Sequence, residues 1–184
     1  MGTLFYVIGP SGAGKDSLMN YARQHLASHD TGKRTVLFAH RYITRPMDAG
    51  GENHVELSAT EFLKRREMGL FALDWQSHQN HYGVGSEIST WLNAGANVVV
   101  NGSREYLPTA TERFPDMRVV LIEVSADVLR HRLTDRGRET PAEIESRIER
   151  SRQLLPIEHP NLIRLSNDAP LAESGADFVA LLQA

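Results

Sequence analysis

The chain has 184 residues, of which 41% are hydrophobic and 23% are charged, a composition typical of one globular domain with a single core. Its formal net charge of −3 excludes a general polyanion binder, because no excess of cations is available to neutralise nucleic acid or a membrane surface. The lack of cysteine excludes disulfides and thiolate metal sites, and because no long apolar run indicates a signal or membrane segment, we expect a cytoplasmic protein.

The first predicted elements are a buried strand at residues 4–8 and a helix that begins at about residue 16. Between them lie Gly9, Pro10, Ser11, Gly12, Ala13, Gly14, Lys15, Asp16 and Ser17. Glycines in such a turn let successive backbone N–H groups face an anion, and the helix dipole and Lys15 add positive charge. This pattern predicts a phosphate loop that binds ATP. The alternative is a glycine-rich turn that happens to hold a lysine.

Asp16 stands directly after the lysine, where phosphate loops usually carry the Ser or Thr hydroxyl that contacts Mg²⁺. The nearest hydroxyl belongs to Ser17. A carboxylate beside polyphosphate is repelled unless a cation lies between them, so the sequence predicts that Asp16 and Ser17 contact Mg²⁺ together with the phosphates. N-terminal helix capping is the equally open alternative for Asp16.

The elements after the first helix alternate between strands and helices. Strands are predicted at 35–39, 70–75, 97–101, 117–124 and 162–166, helices at 58–68, 86–94, 108–114, 126–136, 140–155 and 170–183, and polar segments at 40–54 and 77–83. This alternation predicts a three-layer α/β fold with a mainly parallel sheet. We expect one domain, with a core at 1–39 and 84–184, an acceptor-binding insert at 40–83 and a lid at 132–150.

Arginines are concentrated in the predicted lid. Arg132 and Arg136 share one helix face, and Arg147 lies on the next helix, past Gly137. Two helices that are joined at a glycine and carry guanidinium groups can close over a phosphate in transfer. The alternative is a solvated helix hairpin in which neighbouring acidic residues pair with these arginines.

Polar residues at the end of a central strand indicate a second part of the site. Asn101 and Arg104 follow the strand at residues 97–101, and ligands of open α/β sheets gather at the carboxyl ends of strands, so both residues belong to the crevice of the phosphate loop. The histidines do not show metal-ligand spacing: His78 and His81 are three apart in a predicted loop, and we expect surface or polar contacts for them.

Four motifs resemble, in order and spacing, the guanylate kinase family of nucleoside monophosphate kinases. They are residues 9–15, Thr44-Arg45-Pro46, Tyr82-Gly83 and the lid arginines. The resemblance covers most of the chain and implies a P-loop kinase fold. It also implies that Arg45 and Tyr82 hold the phosphate of the acceptor, and that Arg132, Arg136 and Arg147 close on the transferring phosphates.

Several positions depart from guanylate kinases. Asp48 stands where that family has a second phosphate-binding arginine, about His54 where it has a tyrosine, Leu73 where it has the guanine-reading glutamate, and Asn101 where it has an aspartate. A site that has lost its guanine acceptors disfavours guanylate strongly. Residues 14–17, 40–45, 52–54, 82–85 and 100–104 instead resemble the ribose 1,5-bisphosphate phosphokinases of phosphonate breakdown.

This resemblance implies ATP- and Mg²⁺-dependent phosphorylation of ribose 1,5-bisphosphate to 5-phosphoribosyl 1-diphosphate, with small molecules as partners and neither nucleic acid nor membrane. The expected acceptor ligands are Arg41, Thr44, Arg45, Asn53, His54, Tyr82, Asn101 and Arg104. The alternatives are a guanylate or other nucleoside monophosphate kinase, a kinase for another sugar or phosphonate, and a non-catalytic guanylate kinase-like interaction module. The sequence does not determine the oligomeric state, which is a monomer or a homodimer.

Overall fold

The computed structural model describes residues 1–28, 34–46, 54–137, 139–153 and 157–184. Asp48 and the expected acceptor ligand Asn53 lie outside the described residues. In chain order the elements are β1 (Leu4–Ile8), α1 (Lys15–Ser28), β2 (Val36–Phe38), β3 (Arg41–Ile43), β4 (Val55–Glu56), α2 (Ala59–Glu67), β5 (Phe71–Ser77), β6 (Asn80–Gly85), α3 (Glu87–Asn93), β7 (Asn97–Asn101), α4 (Leu107–Arg113), β8 (Arg118–Glu123), α5 (Ala126–Arg136), α6 (Pro141–Gln153), β9 (Leu162–Ser166) and α7 (Leu171–Gln183).

The larger sheet of the described chain is parallel, with the strand order β2-β7-β1-β8-β9. Every residue of the central strand β1 is buried, and its side chains alternate between two cores. Tyr6 and Ile8 pack in a cluster with residues of α3 and α4, whereas Phe5 and Val7 pack in a cluster with residues of α1 and α7. Helices therefore cover both faces of the sheet, and the predicted three-layer α/β fold is confirmed.

A smaller mixed sheet, with the order β4-β3-β6-β5, is formed by residues from Arg41 to Gly85. Strand β6 is antiparallel to both β3 and β5. The sequence prediction of a loop at residues 77–83 was wrong here, because the polar, glycine-containing sequence of β6 has weak strand propensity and extends only through pairing on both sides. Leu73 and Val84 join the same cluster as Tyr6, so the two sheets share a core.

Helix α2 covers the smaller sheet. Its N-terminus is capped by Ser58, whose Oγ accepts a hydrogen bond from the Glu61 N–H at 3.1 Å. The buried ring of Phe62 stacks on Phe71 of β5, with the ring centroids 4.6 Å apart. This contact anchors the first residue of the hairpin formed by β5 and β6.

Helices α5 and α6 form a helical hairpin with its own small core. Leu129 and Leu133 of α5 pack against Ile144 and Ile148 of α6. Gly137 ends α5 with a φ of 61°, in the left-handed region that glycine adopts most easily at a helix C-terminus. No helix in the described parts of the chain has the length and apolar character needed to cross a membrane.

Candidate active site

The predicted phosphate loop connects β1 to α1 as a tight turn. Gly12 and Gly14 have φ values of 91° and 86°, where any side chain is strained. A Cβ atom at Gly14 would lie 2.5 Å from Asn167 Nδ2, so the close packing also requires glycine there. Pro10 and Ala13 are buried, and their backbones close the turn with a 3.1 Å hydrogen bond from the Ala13 N–H to the Pro10 carbonyl.

Lys15 begins α1 and folds back over the loop. Its Nζ donates hydrogen bonds to the carbonyl oxygens of Gly9 at 2.9 Å and of Pro10 at 3.3 Å. These bonds hold the ammonium group against the turn whose N–H groups precede the helix. Positive charge and amide donors are therefore concentrated at one point, as the binding of a phosphate requires.

Asp16 is oriented by the end of a neighbouring strand. Asn101, the last residue of β7, is buried and donates its Nδ2–H to Asp16 Oδ1 at 3.1 Å. Asp16 and Ser17 both line the cleft beside the loop. Among the described residues no group of three His, Cys, Asp or Glu side chains is placed to hold a metal ion.

A cleft of about 410 Å³ lies between the phosphate loop and the smaller sheet. It is lined by Gly9, Ser11, Gly12, Gly14, Lys15, Asp16 and Ser17 of the loop, by Arg41, Arg45, Trp75, Ser77, His78 and Tyr82 of the smaller sheet and its connections, and by Asn101, Gly102, Ser103, Arg104, Glu105 and Arg136. The expected acceptor ligands Arg41, Arg45, Tyr82, Asn101 and Arg104 thus share one cavity with the loop.

Tyr82 belongs to a row of stacked groups on the wall formed by the smaller sheet. Arg41 Cζ lies 5.2 Å from the centroid of the Tyr82 ring, and Trp75 stacks on the same ring at 5.5 Å with an interplanar angle of 5°. Trp75 also stacks on Tyr106 at 5.3 Å. Trp75 and Tyr82 are direct partners in the β5–β6 register, so strand pairing fixes the row in place.

Arg45 follows β3 and presents a buried nitrogen to the site. Its Nε has no hydrogen-bond partner among the residues that the structure describes. His54, only 2% exposed, donates from Nε2 to the Arg45 carbonyl at 3.0 Å, and the Thr44 hydroxyl accepts from the His81 N–H at 2.9 Å. Contrary to the expectation from sequence, Thr44 and His54 do not line the cleft. They fix the segment that presents Arg45.

The segment after β7 is held by Tyr6. The Tyr6 hydroxyl accepts a hydrogen bond from the Ser103 N–H at 2.9 Å and donates to the Ser103 carbonyl at 3.0 Å, and burial raises the pKa of this phenol. A Cβ atom at Gly102 would lie 2.3 Å from the Tyr6 ring. Burial lowers the pKa of the Arg104 guanidinium in the cleft wall, and a bound anion would offset that desolvation.

Arg132 and Arg136 of α5 reach the loop. Arg132 Nη2 donates to the Asn167 carbonyl at 2.7 Å, while its Nη1 is buried without a partner in the described parts of the chain. Asn167 Nδ2 donates in turn to the Ala13 carbonyl at 2.6 Å. Asn167, the residue after β9, therefore links Arg132 of α5 to the phosphate loop. Arg136 lines the cleft directly.

Arg147 of α6 contacts the tip of the loop. Its Nη1 donates to Ser11 Oγ at 3.2 Å, and its Nη2 forms an ion pair with Glu139 Oε1 at 2.5 Å. The glutamate is the less exposed partner, with a side chain that is 16% accessible. The three arginines expected in the lid therefore all lie at or near the loop.

A second cavity of about 310 Å³ adjoins the loop between α5 and the end of β9. It is lined by Gly12, Gly14, Ser17, Arg132, Asp135, Arg136, Asn167 and Leu171. Four of these residues, Gly12, Gly14, Ser17 and Arg136, also line the cleft. The phosphate loop therefore borders two adjoining spaces.

Sequence reasoning missed Trp75, Ser77, His78 and Asn167. A strand extended two residues beyond the predicted end at 75 would have placed Trp75 and Ser77 on one face. Asn167 follows β9, so the rule that polar residues at the carboxyl ends of parallel strands gather around ligands, which located Asn101, applies to it as well. Nothing in the sequence indicated that His78 lines the cleft, because its position depends on the β5–β6 hairpin, which was not predicted.

No family model matches the chain. Ribose 1,5-bisphosphate phosphokinase PhnN of Thiobacillus denitrificans is 53% identical over 183 residues, which cover 98% of this chain and 93% of that protein. The proteins of the same name from Desulfomicrobium baculatum and Psychromonas ingrahamii are 52% and 47% identical over 182 residues, which cover 99% of this chain and 95% and 90% of theirs.

The chain belongs to the ribose 1,5-bisphosphate phosphokinase family.

Solved structures agree with this membership at the level of the fold. A guanylate kinase from Anaplasma phagocytophilum superposes with a TM-score of 0.64 at 16% identity, covering 98% of this chain and 84% of that one. A sugar kinase from Janibacter sp. gives a TM-score of 0.52 at 18% identity, covering 99% and 95%. The resemblance to the ribose 1,5-bisphosphate phosphokinase family that the sequence motifs indicated is therefore confirmed, on a P-loop kinase fold.

Proposed function

We propose that this chain transfers the γ-phosphoryl group of ATP to the 1-phosphate of ribose 1,5-bisphosphate, which gives 5-phospho-α-D-ribosyl 1-diphosphate and ADP. The observation that carries the proposal is one cleft lined both by a phosphate loop and by arginines of a second sheet. Such a cleft suits two phosphorylated substrates at once. Relatives that match over nearly their full length bear the name of this activity.

The phosphates of ATP would bind the loop amides and Lys15. Arg132 Nη1 fits an anion here, since it is buried without a partner among the described residues and lies 3.5 Å from the position of a Cβ atom at Gly14. The second cavity shares the loop glycines and would hold the nucleoside. The donor would thus extend from that cavity, across the loop, into the cleft.

A Mg²⁺ ion fits this donor set if the phosphates complete its coordination. Asp16 and Ser17, both in the cleft wall, would hold the ion, and the hydrogen bond from Asn101 would keep the Asp16 carboxylate oriented. The ion would neutralise charge on the β- and γ-phosphates.

Arg41, Arg45 and Tyr82 would orient the 1-phosphate of the acceptor for in-line attack, and Asn101, Arg104 and Asn53 would complete its contacts. An oxygen of the 1-phosphate forms the new bond to the γ-phosphorus. The bond from that phosphorus to the β–γ bridging oxygen breaks, and ADP leaves with the electron pair. No general base is required, because the attacking phosphate oxygen is already ionised.

The helical hairpin at residues 132–150 would act as a lid. Arg132, Arg136 and Arg147 already lie at the loop or the cleft, and closure would bring them onto the transferring group and exclude water. The proposal also divides the chain into a core at residues 1–39 and 84–184 and an insert at residues 40–83 that would bind the acceptor.

The test measures ADP release with ATP, Mg²⁺ and either ribose 1,5-bisphosphate or GMP as acceptor, and a coupled assay for 5-phospho-α-D-ribosyl 1-diphosphate identifies the product from the sugar bisphosphate. We expect product from the sugar bisphosphate and negligible turnover of GMP. Lys15→Met should lower kcat by roughly 10²- to 10³-fold, because it removes a preorganised cation from the phosphates. Lys64→Met, on the exposed surface of α2, should retain activity. Turnover of GMP without turnover of the sugar bisphosphate would overturn the proposal.

A further inference from the structure

One face of the β5–β6 hairpin looks into the cleft. Trp75 and Ser77 are two residues apart in β5, so their side chains lie on the same face, and both line the cleft together with His78 at the tip. Trp75 is fixed by its stacking on Tyr82 and Tyr106. The hairpin therefore adds a hydroxyl, an imidazole and a rigid ring to a wall that already carries arginines.

The tip of the hairpin has an unusual backbone. Ser77 pairs with Asn80, which leaves His78 and Gln79 as a two-residue turn, with φ values of 47° and 68°. Glycine and asparagine are the residues that such turns favour, because both central positions are left-handed. The stability of the turn therefore does not explain why residue 78 is a histidine. A role for the imidazole in the cleft wall would explain it.

The side chains at the tip are suitable phosphate ligands. A serine hydroxyl and an imidazole N–H both donate hydrogen bonds to phosphate oxygens. Asn80 Nδ2 donates to the backbone carbonyl of His78 at 3.4 Å, so this contact within the turn does not use the imidazole. Ser77 is half-buried and His78 is exposed, which leaves the imidazole within reach of a ligand from solvent.

The acceptor of the proposed reaction has a phosphate at each end of its sugar. Its 1-phosphate must lie beside the γ-phosphate, and hence close to the phosphate loop. The 5-phosphate then lies farther from the loop than the 1-phosphate does. Besides Arg41, Arg45 and Tyr82, the smaller sheet adds Trp75, Ser77 and His78 to the cleft wall. Tyr82 and Tyr106 stack on the indole of Trp75, and the ring edge that lines the cleft offers an apolar contact for a ribose.

Resting on the proposed function, we propose that the tip of the β5–β6 hairpin is the subsite for the 5-phosphate of the acceptor. The Ser77 hydroxyl and the His78 imidazole donate hydrogen bonds to this phosphate, and Trp75 lies against the ribose. These residues do not touch the reacting atoms. They determine specificity, because they distinguish a sugar with a second phosphate from one without it.

The experiment compares three ligands that differ only in their phosphates. Dissociation constants for ribose 1,5-bisphosphate, ribose 5-phosphate and ribose 1-phosphate are measured by calorimetry on the wild type, His78→Asn and Ser77→Ala. Asparagine keeps the left-handed turn and removes the imidazole. Gln79→Asn is the matched control, since it changes the other turn residue, which does not line the cleft.

We expect His78→Asn and Ser77→Ala each to weaken the binding of ribose 1,5-bisphosphate and ribose 5-phosphate by about tenfold. Binding of ribose 1-phosphate should change less than about twofold, and Gln79→Asn should leave all three constants unchanged. In the assay, KM for ribose 1,5-bisphosphate should rise in His78→Asn while kcat stays close to the wild-type value.

Equal losses for all three ligands, or no loss in either variant, would overturn the subsite. So would a loss of ribose 5-phosphate binding in Arg104→Lys that His78→Asn does not share, because it would place the 5-phosphate at the other wall. A wild-type protein that binds the sugar phosphates but forms no 5-phospho-α-D-ribosyl 1-diphosphate would refute the proposed function instead. Thermal unfolding of each variant separates loss of a contact from loss of the fold.

Discussion

Asp16 brings a negative charge to a place that is built for anions. Its carboxylate lines the cleft directly after Lys15 and accepts a hydrogen bond from the buried Asn101. A carboxylate at this point repels polyphosphate unless a cation lies between them, so its charge is useful only in the presence of a metal ion. The hydrogen bond fixes the direction of the group, and a metal titration of the proposed reaction tests its charge.

Asp16→Asn tests this charge. The substitution keeps an oxygen that can accept from Asn101 and removes the negative charge, so we expect the Mg²⁺ concentration for half-maximal activity to rise several-fold at fixed ATP. The measurement is a Mg²⁺ titration of initial rates. Glu105→Gln removes another carboxylate from the wall of the same cleft and should leave the half-saturating concentration unchanged. An unaltered titration in Asp16→Asn would exclude a role of Asp16 in holding Mg²⁺.

Tyr6 gives a prediction that depends on pH. Burial raises the pKa of its phenol, so the folded protein keeps this proton at a pH where the unfolded chain, with a pKa of about 10, loses it. Its contribution to stability is therefore complete below about pH 10 and is lost as the pH rises further. Tyr6→Phe also removes both hydrogen bonds to Ser103 and should lower the free energy of unfolding by about 1–2 kcal/mol at pH 8. Urea unfolding of both proteins should show the difference shrinking above about pH 10, and a constant difference would contradict this assignment.

The helical hairpin of α5 and α6 is the element that presents the lid arginines. Its two helices pack through Leu129, Leu133, Ile144 and Ile148, and their relative direction depends on the left-handed residue Gly137. Apart from the adjoining backbone, no atom of the described residues lies within 4 Å of a Cβ atom built on Gly137, so a side chain there meets only backbone strain. We therefore expect a substitution at Gly137 to change the angle between α5 and α6 without creating a steric clash.

Gly137→Ala and Gly69→Ala form a matched pair at the ends of α5 and α2. Gly69 has a φ of 70° and also has open space around its Cβ position, so each variant should lose about 1 kcal/mol of stability. Only Gly137→Ala shifts the helices that carry Arg136 and Arg147, and we expect a several-fold lower kcat for it alone. Steady-state kinetics and chemical denaturation measure the two effects. Equal kinetics in both variants would exclude a role of the Gly137 turn in closure.

At the scale of the whole molecule, the two sheets share one core cluster and border the same cleft. Leu73 and Val84 of the smaller sheet pack in the same cluster as Tyr6 of the larger one, directly behind the walls of the cleft. The phosphate loop and the arginines at β3 therefore have a fixed separation before any ligand binds. The proposed donor and acceptor sites belong to different sheets, so each ligand should protect its own part of the chain.

Hydrogen exchange tests whether the two ligands protect different parts of the chain. A non-hydrolysable ATP analogue with Mg²⁺ should slow exchange in the loop at residues 9–17 and in α5, whereas ribose 1,5-bisphosphate alone should slow exchange in β3, β5 and β6. The C-terminal half of helix α7, residues 178–183, lines neither cavity and should show little change with either ligand. Acceptor-induced protection confined to the phosphate loop would contradict the placement of the acceptor against the smaller sheet.

Local sequence rules determined the phosphate loop, the parallel core and the family. Glycines 12 and 14 before Lys15 produce the turn because only glycine tolerates its positive φ values. The continuous apolar run of β1 is typical of a strand that is covered on both faces. Each of these features depends on neighbours in the chain, and for that reason sequence alone was sufficient to predict them.

Only the tertiary structure decided how the other wall of the cleft is made. Strand β6 has too little intrinsic preference for extended structure to be recognised, and it forms because β3 and β5 supply hydrogen-bond partners on both sides. That pairing places Trp75 against Tyr82, brings Ser77 and His78 to the cleft, and leaves Thr44 and His54 behind it. Contacts between residues far apart in sequence carry no local signal, because their free energy exists only once the whole chain has folded.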